Sequence, residues 1–393
     1  MSEYSAEASA LGYIYQVRYA LYYLLTIGDE HSVSIECLDD ISFEKAGTVS
    51  ELLQLKHHLV RKASLTDMSV DLWKSLRVWS NYLLENQKEL PILKLITTAM
   101  APKESAAYYL RPECRDEANA LNRINLASQT SENTALKDCF NKFNLLNQHQ
   151  KQLLISKIII LDGSPFISNL ENMIKKELRL AVLPNHIQGL YERLEGWWLN
   201  KAILYLNRKS SEPIDGLEVH YKINDIAKSF EPEALPIDFL DIEPPDMPDP
   251  INDSRLFVKQ LREISVDTKR IEYAIKDFHK AFTQRSRWTR EELLIDQEIE
   301  VYEKKLIGEW ERFSLAIKED LPAESSEEIL KKIGRKVYNW VEFTAQIPIR
   351  PKCNEAYVMR GSYHMLANED PPRVWWHPSF KERITALLGG NLE

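Results

Sequence analysis

Glycine is scarce in this chain. The 12 glycines among 393 residues amount to about 3 % against an average near 7 %, which argues against glycine-rich phosphate loops and turn-dense all-β architectures and favours helix. Cysteine is nearly missing as well. Cys37, Cys114, Cys139 and Cys353 lie far apart, with no C-x-x-C and no Cys/His pair at zinc-finger spacing, so disulfides and structural zinc are not expected. Basic residues are outnumbered: Lys plus Arg is 50, Asp plus Glu is 59 and the net charge is −9. That excludes a generally basic nucleic-acid coat protein, and any nucleic-acid site must be local. No window approaches the roughly 18 uninterrupted apolar residues of a membrane helix. The segment Met1 to Ala10 carries Glu3 and Glu7 without a basic leader. The expected location is therefore the cytoplasm, with no membrane contact. Walker A, G-x-G-x-x-G, G-x-S-x-G and H-E-x-x-H patterns are all missing, so ATP hydrolysis, dinucleotide redox chemistry, serine hydrolysis and zinc proteolysis find no support.

What is present is the make-up of a folded, aromatic-rich protein: 44 % hydrophobic and 28 % charged residues, with 9 Trp, 17 Tyr and 12 Phe. At about 100–200 residues per domain, the length suggests two domains or three. Ser9 to Ile27 places Leu11, Ile14, Tyr15, Val17, Leu21, Leu24 and Leu25 at helical spacings. Val33 to Phe43 alternates apolar and polar residues, with Val33, Ile35, Cys37, Ile41 and Phe43 on one parity, which predicts one half-buried strand. Glu51 to His58 predicts a second strand. Asp67 is placed to open an amphipathic helix through Leu72, Trp73, Leu76, Trp79 and Leu83. Leu93 to Thr98 and Ile158 to Leu161 read as further core strands. From Glu171 onward helix dominates, the longest piece spanning about His186 to Asn207.

Residues 231–250 hold six prolines and seven acidic residues with no Lys or Arg. Proline fixes φ and like charges repel, so an extended linker is expected there. It divides the chain into 1–230, an α/β domain, and 251–393, a mainly α-helical domain. Ile251 to Asp320 and Ser326 to Phe343 have helical spacing, whereas the tail from Pro348 reads as irregular and aromatic-rich. No internal repeat is found.

The chemistry candidates cluster early. Two polar residues separated by one apolar residue share a strand face, so Gln54 and Lys56 point together. If the strand bearing Asp40 pairs with theirs, a carboxylate, an amide oxygen and an ammonium converge, a set able to hold a divalent cation and to neutralise charge developing on a phosphate. Parity favours Asp40 over Asp39, and a bulge at this pair reverses the choice. Glu36 shares the parity of Asp40 and is either an outer ligand or a solvated carboxylate. His57 and His58 either contact phosphate or simply end the strand. Arg61, Lys62, Lys74 and Arg77 supply local positive charge for a DNA backbone, or form a solvated face. The pairs Trp197-Trp198 and Trp375-Trp376 are either base-stacking platforms or, more in keeping with their positions, packing residues. Arg285, Arg287 and Arg290 either meet DNA or partner acids, or lie in solvent.

A helix with Gly12-Tyr13 and Gln16, then IECLDDI, then LLQLKHH resembles the Q-x-K variant of the PD-(D/E)xK nucleases. More narrowly, the order is similar to the double-strand DNA endonuclease domain of bacterial antiphage effectors, both the cyclic-oligonucleotide-signalled kind and the Lamassu kind. The resemblance covers roughly the first hundred residues and fades by about 230. It implies a restriction-endonuclease-like fold, a mixed sheet flanked by helices, and a Mg²⁺-dependent (or Mn²⁺-dependent) endodeoxyribonuclease. Carried over by position, Asp40, or else Asp39, is the metal carboxylate, Gln54 the second ligand or water-positioner, and Lys56 the catalytic lysine. Gln16 is either a helix residue facing the active side or a surface residue. Gln54 stands where the general fold has an acid, which removes one negative ligand. The tail from Gly361 to Ile384 is similar to subunits that accompany SMC-like or ABC-type ATPases in three-component defence systems. The implied partners are double-stranded DNA, an SMC-like ATPase subunit and a small third subunit. The nuclease is then held inactive by its partners and switched on by release or self-association. Two other expectations stand beside this one: a non-catalytic DNA-binding or scaffold subunit, and the same nuclease gated by a cyclic oligonucleotide.

Overall fold

The computed structural model describes residues 6–35, 40–56, 63–86, 90–131, 133–207, 212–241, 248–319, 321, 325–380 and 383. The chain divides into two compact units, Met1–Ile226 and Ala227–Glu393.

The first unit opens with α1 (Ala6–Ile27), followed by β1 (His31–Ile35), β2 (Ile41–Lys45), β3 (Thr48–Lys56), α2 (Val70–Glu85) and β4 (Ile92–Thr97). Then come α3 (Ala106–Tyr109), α4 (Glu117–Thr130), α5 (Lys137–Asn144), α6 (Gln148–Lys157), β5 (Ile158–Leu161), α7 (Ile167–Glu177), α8 (Ile187–Leu206), β6 (Ile214–Asp215) and α9 (Gly216–Lys228). Among the described residues the strands form one mixed sheet in the order β5-β4-β3-β2-β1-β6. The pairs β3/β4 and β4/β5 are parallel, the others antiparallel.

The single strand expected over Val33 to Phe43 is a hairpin. Ile35 pairs directly with Ile41, and the chain reverses between them. These two residues lie an even number of positions apart, so the apolar parity survives the reversal and conceals it. The β2–β3 turn, Ala46-Gly47, has φ of 51° and 74°. Two positive values in a two-residue loop are what a type I′ hairpin requires, and Gly47 adopts its value without strain. Farther along, Phe43 pairs with Glu51 but Glu44 with Val49, leaving Ser50 as an unpaired extra residue whose Oγ donates to the Phe43 carbonyl at 3.1 Å. This is a β-bulge.

The two faces of the sheet are covered differently. Leu52, Leu93, Leu95, Ile158 and Ile160 bury against Trp73, Leu76 and Trp79 of α2 and against residues of α4 to α6, where the Trp73 ring meets Phe140 edge-on at 4.5 Å. On the other face Tyr23 of α1 packs on Phe43 and donates to Glu51 at 2.7 Å, and Lys94 reaches the same carboxylate at 2.8 Å. Asp67 does not cap α2, whose N-cap is Ser69. Its carboxylate instead accepts from the N–H of Ala106 at 2.6 Å and its carbonyl from Trp73 Nε1 at 2.7 Å.

The second unit is mainly helical: α10 (Leu256–Glu263), α11 (Thr268–Arg290), α12 (Glu298–Glu319), α13 (Glu327–Asn339) with a π-turn at Trp340–Thr344, and α14 (Ala356–Asn368). Part of the expected linker belongs to this unit. The Pro236 carbonyl accepts from Trp288 Nε1 at 2.7 Å and from Gln284 Nε2 at 3.0 Å, and the Ala234 carbonyl from Arg350 at 2.8 Å. Proline stops the segment from forming helix but leaves its carbonyls as acceptors, and α11 together with Arg350 supplies the donors. Residues 242–247 lie outside the described residues.

The expected irregular tail contains α14. This helix buries residues on every side, from Tyr357 and Val358 to Leu366 and Ala367, so it has no polar stripe for periodicity to detect. Gly361 sits where α14 crosses α11: a Cβ there would stand 2.2 Å from the Asp277 carbonyl and 2.4 Å from Ala281 Cβ. Only glycine permits that approach.

Candidate functional site

The hairpin correction changes how Asp40 is delivered. Asp40 immediately precedes β2, and because Ile41 pairs with Leu53, the next antiparallel position sets Asp40 opposite Gln54. Directly opposed residues share a face with Cβ atoms about 4.5–5.5 Å apart, and Lys56 lies on the adjacent diagonal. The side chains confirm the convergence of acid and lysine. Asp40 Oδ2 accepts from Lys56 Nζ at 3.3 Å and from the backbone N–H of Leu55 at 2.8 Å. The pair is shielded but not sealed, with side-chain exposures of 22 % for Lys56 and 16 % for Asp40.

Gln54 is buried on the same face, two residues before Lys56. Beside them on β4, Leu95 pairs with Gln54 and Thr97 with Lys56 in parallel register, and Thr97 is buried with its Oγ1 accepting from Ala99 N at 3.1 Å. The site therefore stands at the carboxyl ends of β3 and β4, on the face that α2 covers, where the apolar core gives way to polar groups. The Leu55 N–H and Thr97 escape sequence reading. A backbone donor has no residue signature, and Thr97 is marked only by its register with Lys56.

Other expected residues are scattered. Gln16 is half-buried on α1, which covers the opposite face, and among the described residues no hydrogen bond joins it to Asp40, Gln54 or Lys56. Lys74 is exposed on α2, while Arg77 is bound to Asp138 of α5 at 3.0 Å, so its charge is already matched. Glu36, Asp39, His57, His58, Arg61 and Lys62 lie outside the described residues.

The donor set bears on the metal expectation. Among the described residues no group of three or more His, Cys, Asp or Glu is placed to hold a metal ion. Asp40 with the Gln54 amide oxygen does not make an all-protein cage. It does suit Mg²⁺, which commonly takes one or two carboxylates and completes its octahedron with water and substrate phosphate.

Most of the aromatic and arginine candidates are held in packing or ion pairs. Trp198 is buried and donates to the Val17 carbonyl at 2.7 Å, and Lys201 lies over the Trp197 ring at 5.6 Å. Trp376 is buried, and the Trp375 carbonyl accepts from Trp310 at 3.0 Å. Arg285 is buried in an ion pair with Glu303, which Arg373 also binds. Burial pushes the Glu303 carboxyl up, and the two guanidinium partners more than reverse this, so it lies below the usual range. Arg287 is held by Glu291 at 2.6 Å, whereas Arg290 is exposed. His364 is fully buried beside Arg360 and Arg255, and burial lowers it to about 3.

Residues 257–384 match the family model described as C-terminal domain 7 of the ABC-three component (ABC-3C) systems. The second unit is thus similar to a domain of those systems over most of its length. No curated protein matches the chain. Among solved structures, a Cap4 SAVED/CARF-domain containing receptor from Moraxella osloensis is 12 % identical, with a TM-score of 0.36 over 67 % of this chain and 61 % of that one. The Acinetobacter baumannii Cap4 receptor with the cyclic trinucleotide 2′3′3′-cAAA is 13 % identical, with a TM-score of 0.32 over 65 % and 57 %. This chain spans less than two thirds of either receptor, and neither overlap is close enough to fix a shared fold. Among the described residues no helix is long and apolar enough to cross a membrane.

Proposed function

We propose that the chain is a metal-dependent DNA endonuclease that serves as the effector of a three-component, Lamassu-like antiphage system. The carrying observation is the placement of Asp40, Gln54 and Lys56 on one sheet face, with Asp40 bound to both Lys56 and the Leu55 N–H. The match of residues 257–384 to an ABC-3C domain supports the defence setting. On this reading the first unit has a restriction-endonuclease-like fold.

Asp40 and Gln54 would hold Mg²⁺, which when bound supplies Lewis-acid polarisation of a phosphoryl oxygen. The Leu55 N–H fixes the Asp40 carboxylate relative to the strand that carries Lys56. Lys56 orients the attacking water and stabilises the charge that grows on the phosphate in the transition state. Such an enzyme needs restraint, and the reading assigns that to partner subunits, an SMC-like or ABC-type ATPase among them, docked through the second unit. Release or self-association then switches cleavage on.

Plasmid cleavage by purified protein with Mg²⁺ tests the site. Lys56→Ala and Asp40→Ala are each expected to slow it by about 10²–10³-fold. Undiminished cleavage by both variants would overturn the assignment. A second reading, a non-catalytic DNA-binding subunit, draws on the lack of a three-acid cluster among the described residues. It predicts DNA binding without cleavage by the unaltered protein.

A further inference from the structure

The second unit holds a cavity of about 210 Å³ among α11, the end of α13, the π-turn and α14. Three aromatic residues line it, Tyr273, Tyr338 and Phe343, together with Ala274 and Val341. Tyr338 is buried, whereas Tyr273 is 55 % and Phe343 73 % exposed. Phe343 belongs to the π-turn Trp340–Thr344, an irregularity found frequently at functional sites.

The charged groups of the lining are matched. Asp277 of α11 pairs with Arg360 of α14 at 3.4 Å, and Glu342 is taken by Arg270, which stands outside the lining and over the Tyr338 and Phe343 rings. A balanced lining favours an uncharged group. Hydrogen-bonding capacity, by contrast, is left over. Arg360 spends one N–H on Asp277, and its Nε is buried without a partner among the described residues. That one long bond leaves acceptor positions on the Asp277 carboxylate, and burial raises this carboxyl above its usual range despite Arg360. His364, fully buried at the same cavity, has an Nδ1 without a partner as well. Buried polar groups are nearly always bonded, so two orphan nitrogens at one cavity call for an explanation.

An ionised carboxylate only accepts and a guanidinium only donates. Side by side, they ask of a ligand two donors for Asp277 and an adjacent acceptor for Arg360. Guanine has N1–H and N2–H next to O6 on one edge, whereas adenine sets a single amino donor beside a ring acceptor. Tyr273 and Phe343 supply aromatic surface for stacking. A neighbouring cavity of about 450 Å³ shares Glu342, Phe343 and Arg360 and gives room for a sugar.

We propose that this cavity binds the guanine ring of a nucleoside or mononucleotide, with N1–H and N2–H donating to Asp277, O6 accepting from Arg360 and the ring stacked on Tyr273 or Phe343. The proposal is independent of the nuclease reading of the first unit.

The test titrates the full chain calorimetrically with guanosine, guanosine monophosphate and adenosine monophosphate. Both guanine ligands are expected to bind at least about tenfold more tightly than the adenine one. Asp277→Asn, which sets an amide donor against a donor edge, is expected to reduce that preference at least about tenfold, and Tyr273→Ala to weaken guanosine about tenfold. Tyr273 is exposed, so its variant keeps the fold whatever Asp277→Asn does, as melting curves check. Phe282→Ala removes an exposed ring farther along α11, outside the cavity, and is expected to leave the affinity unchanged. No binding of guanosine, binding of the monophosphates alone, equal binding of guanine and adenine ligands, or a loss in Phe282→Ala without one in Tyr273→Ala would each overturn the proposal. So would an undiminished guanine preference in a folded Asp277→Asn variant.

Discussion

Each unit contains a shielded pairing of carboxylate and cation, and the two differ in which cations hold the carboxylate and where in the fold they stand. In the second unit Glu303 is held by Arg285 and Arg373, while Arg285 also reaches Ser362 Oγ at 3.3 Å. Buried charges are tolerated when every group has partners, and such a network fixes α11, α12 and the segment after α14 in one arrangement. In the first unit Asp40 accepts from the Lys56 ammonium at 3.3 Å and from the Leu55 N–H at 2.8 Å, at the carboxyl end of β3. Similar burial therefore serves two ends. The doubly bridged Glu303 specifies structure, and the wider Lys56–Asp40 pair at the end of the sheet leaves an ammonium able to change partners.

Substitutions sharpen this contrast. Arg285→Ala, which strips Glu303 of a buried partner, is expected to cost the second unit about 3–5 kcal/mol, read by chemical denaturation. Lys56→Met should reverse the pattern. It costs the first unit less than Arg285→Ala costs the second, yet plasmid cleavage falls about 10²-fold or more. If both variants destabilise their units equally, the distinction between the pairs fails.

Acid supplies a third measurement. His364 is held near 3 by burial, below its ordinary value of about 6.5. The unfolded chain then binds a proton that the folded unit refuses as pH falls through about 6.5. Stability is kept above that value and lost on acidification towards 3. Between pH 7 and pH 5 the loss from this residue is about 2 kcal/mol, and His364→Phe should flatten the unfolding profile over that interval. The smallest effect is expected at Arg77. Its exposed ion pair with Asp138 predicts that Arg77→Ala changes stability by about 0.5 kcal/mol or less, a baseline for the two shielded pairs.

The sequence was legible where one face of an element is polar. Thus α2 and the strands β3, β4 and β5 stand near their expected positions, since periodicity reports a boundary between core and water. It was silent where that boundary is missing or interrupted, as in α14, which has no polar face, and at the β1–β2 reversal, which preserves parity. The grouping of Asp40 with Lys56 was readable from strand alternation, although the two residues meet across a hairpin and not across long strands. Arg285 was misread because charge alone predicts solvent, and only the fold discloses Glu303 and Arg373 around it. The proline-rich segment was read as a linker because the partners of the Pro236 carbonyl and the Asp238 N–H come from α11, some fifty positions away in sequence.

The unpaired Ser50 acts as a phase shifter for the site. Were Ser50 paired in the ladder and not extruded from it, Asp40 would stand opposite Leu53, and Gln54 and Lys56 would point to the far side of the sheet. One inserted residue near the turn thus decides which side chains a carboxylate at the opposite end of the hairpin can reach. Deleting Ser50 would remove the bulge yet keep Asp40 opposite Gln54, whereas drawing Ser50 into the ladder would disconnect Asp40 from Lys56 with every residue of the site still present.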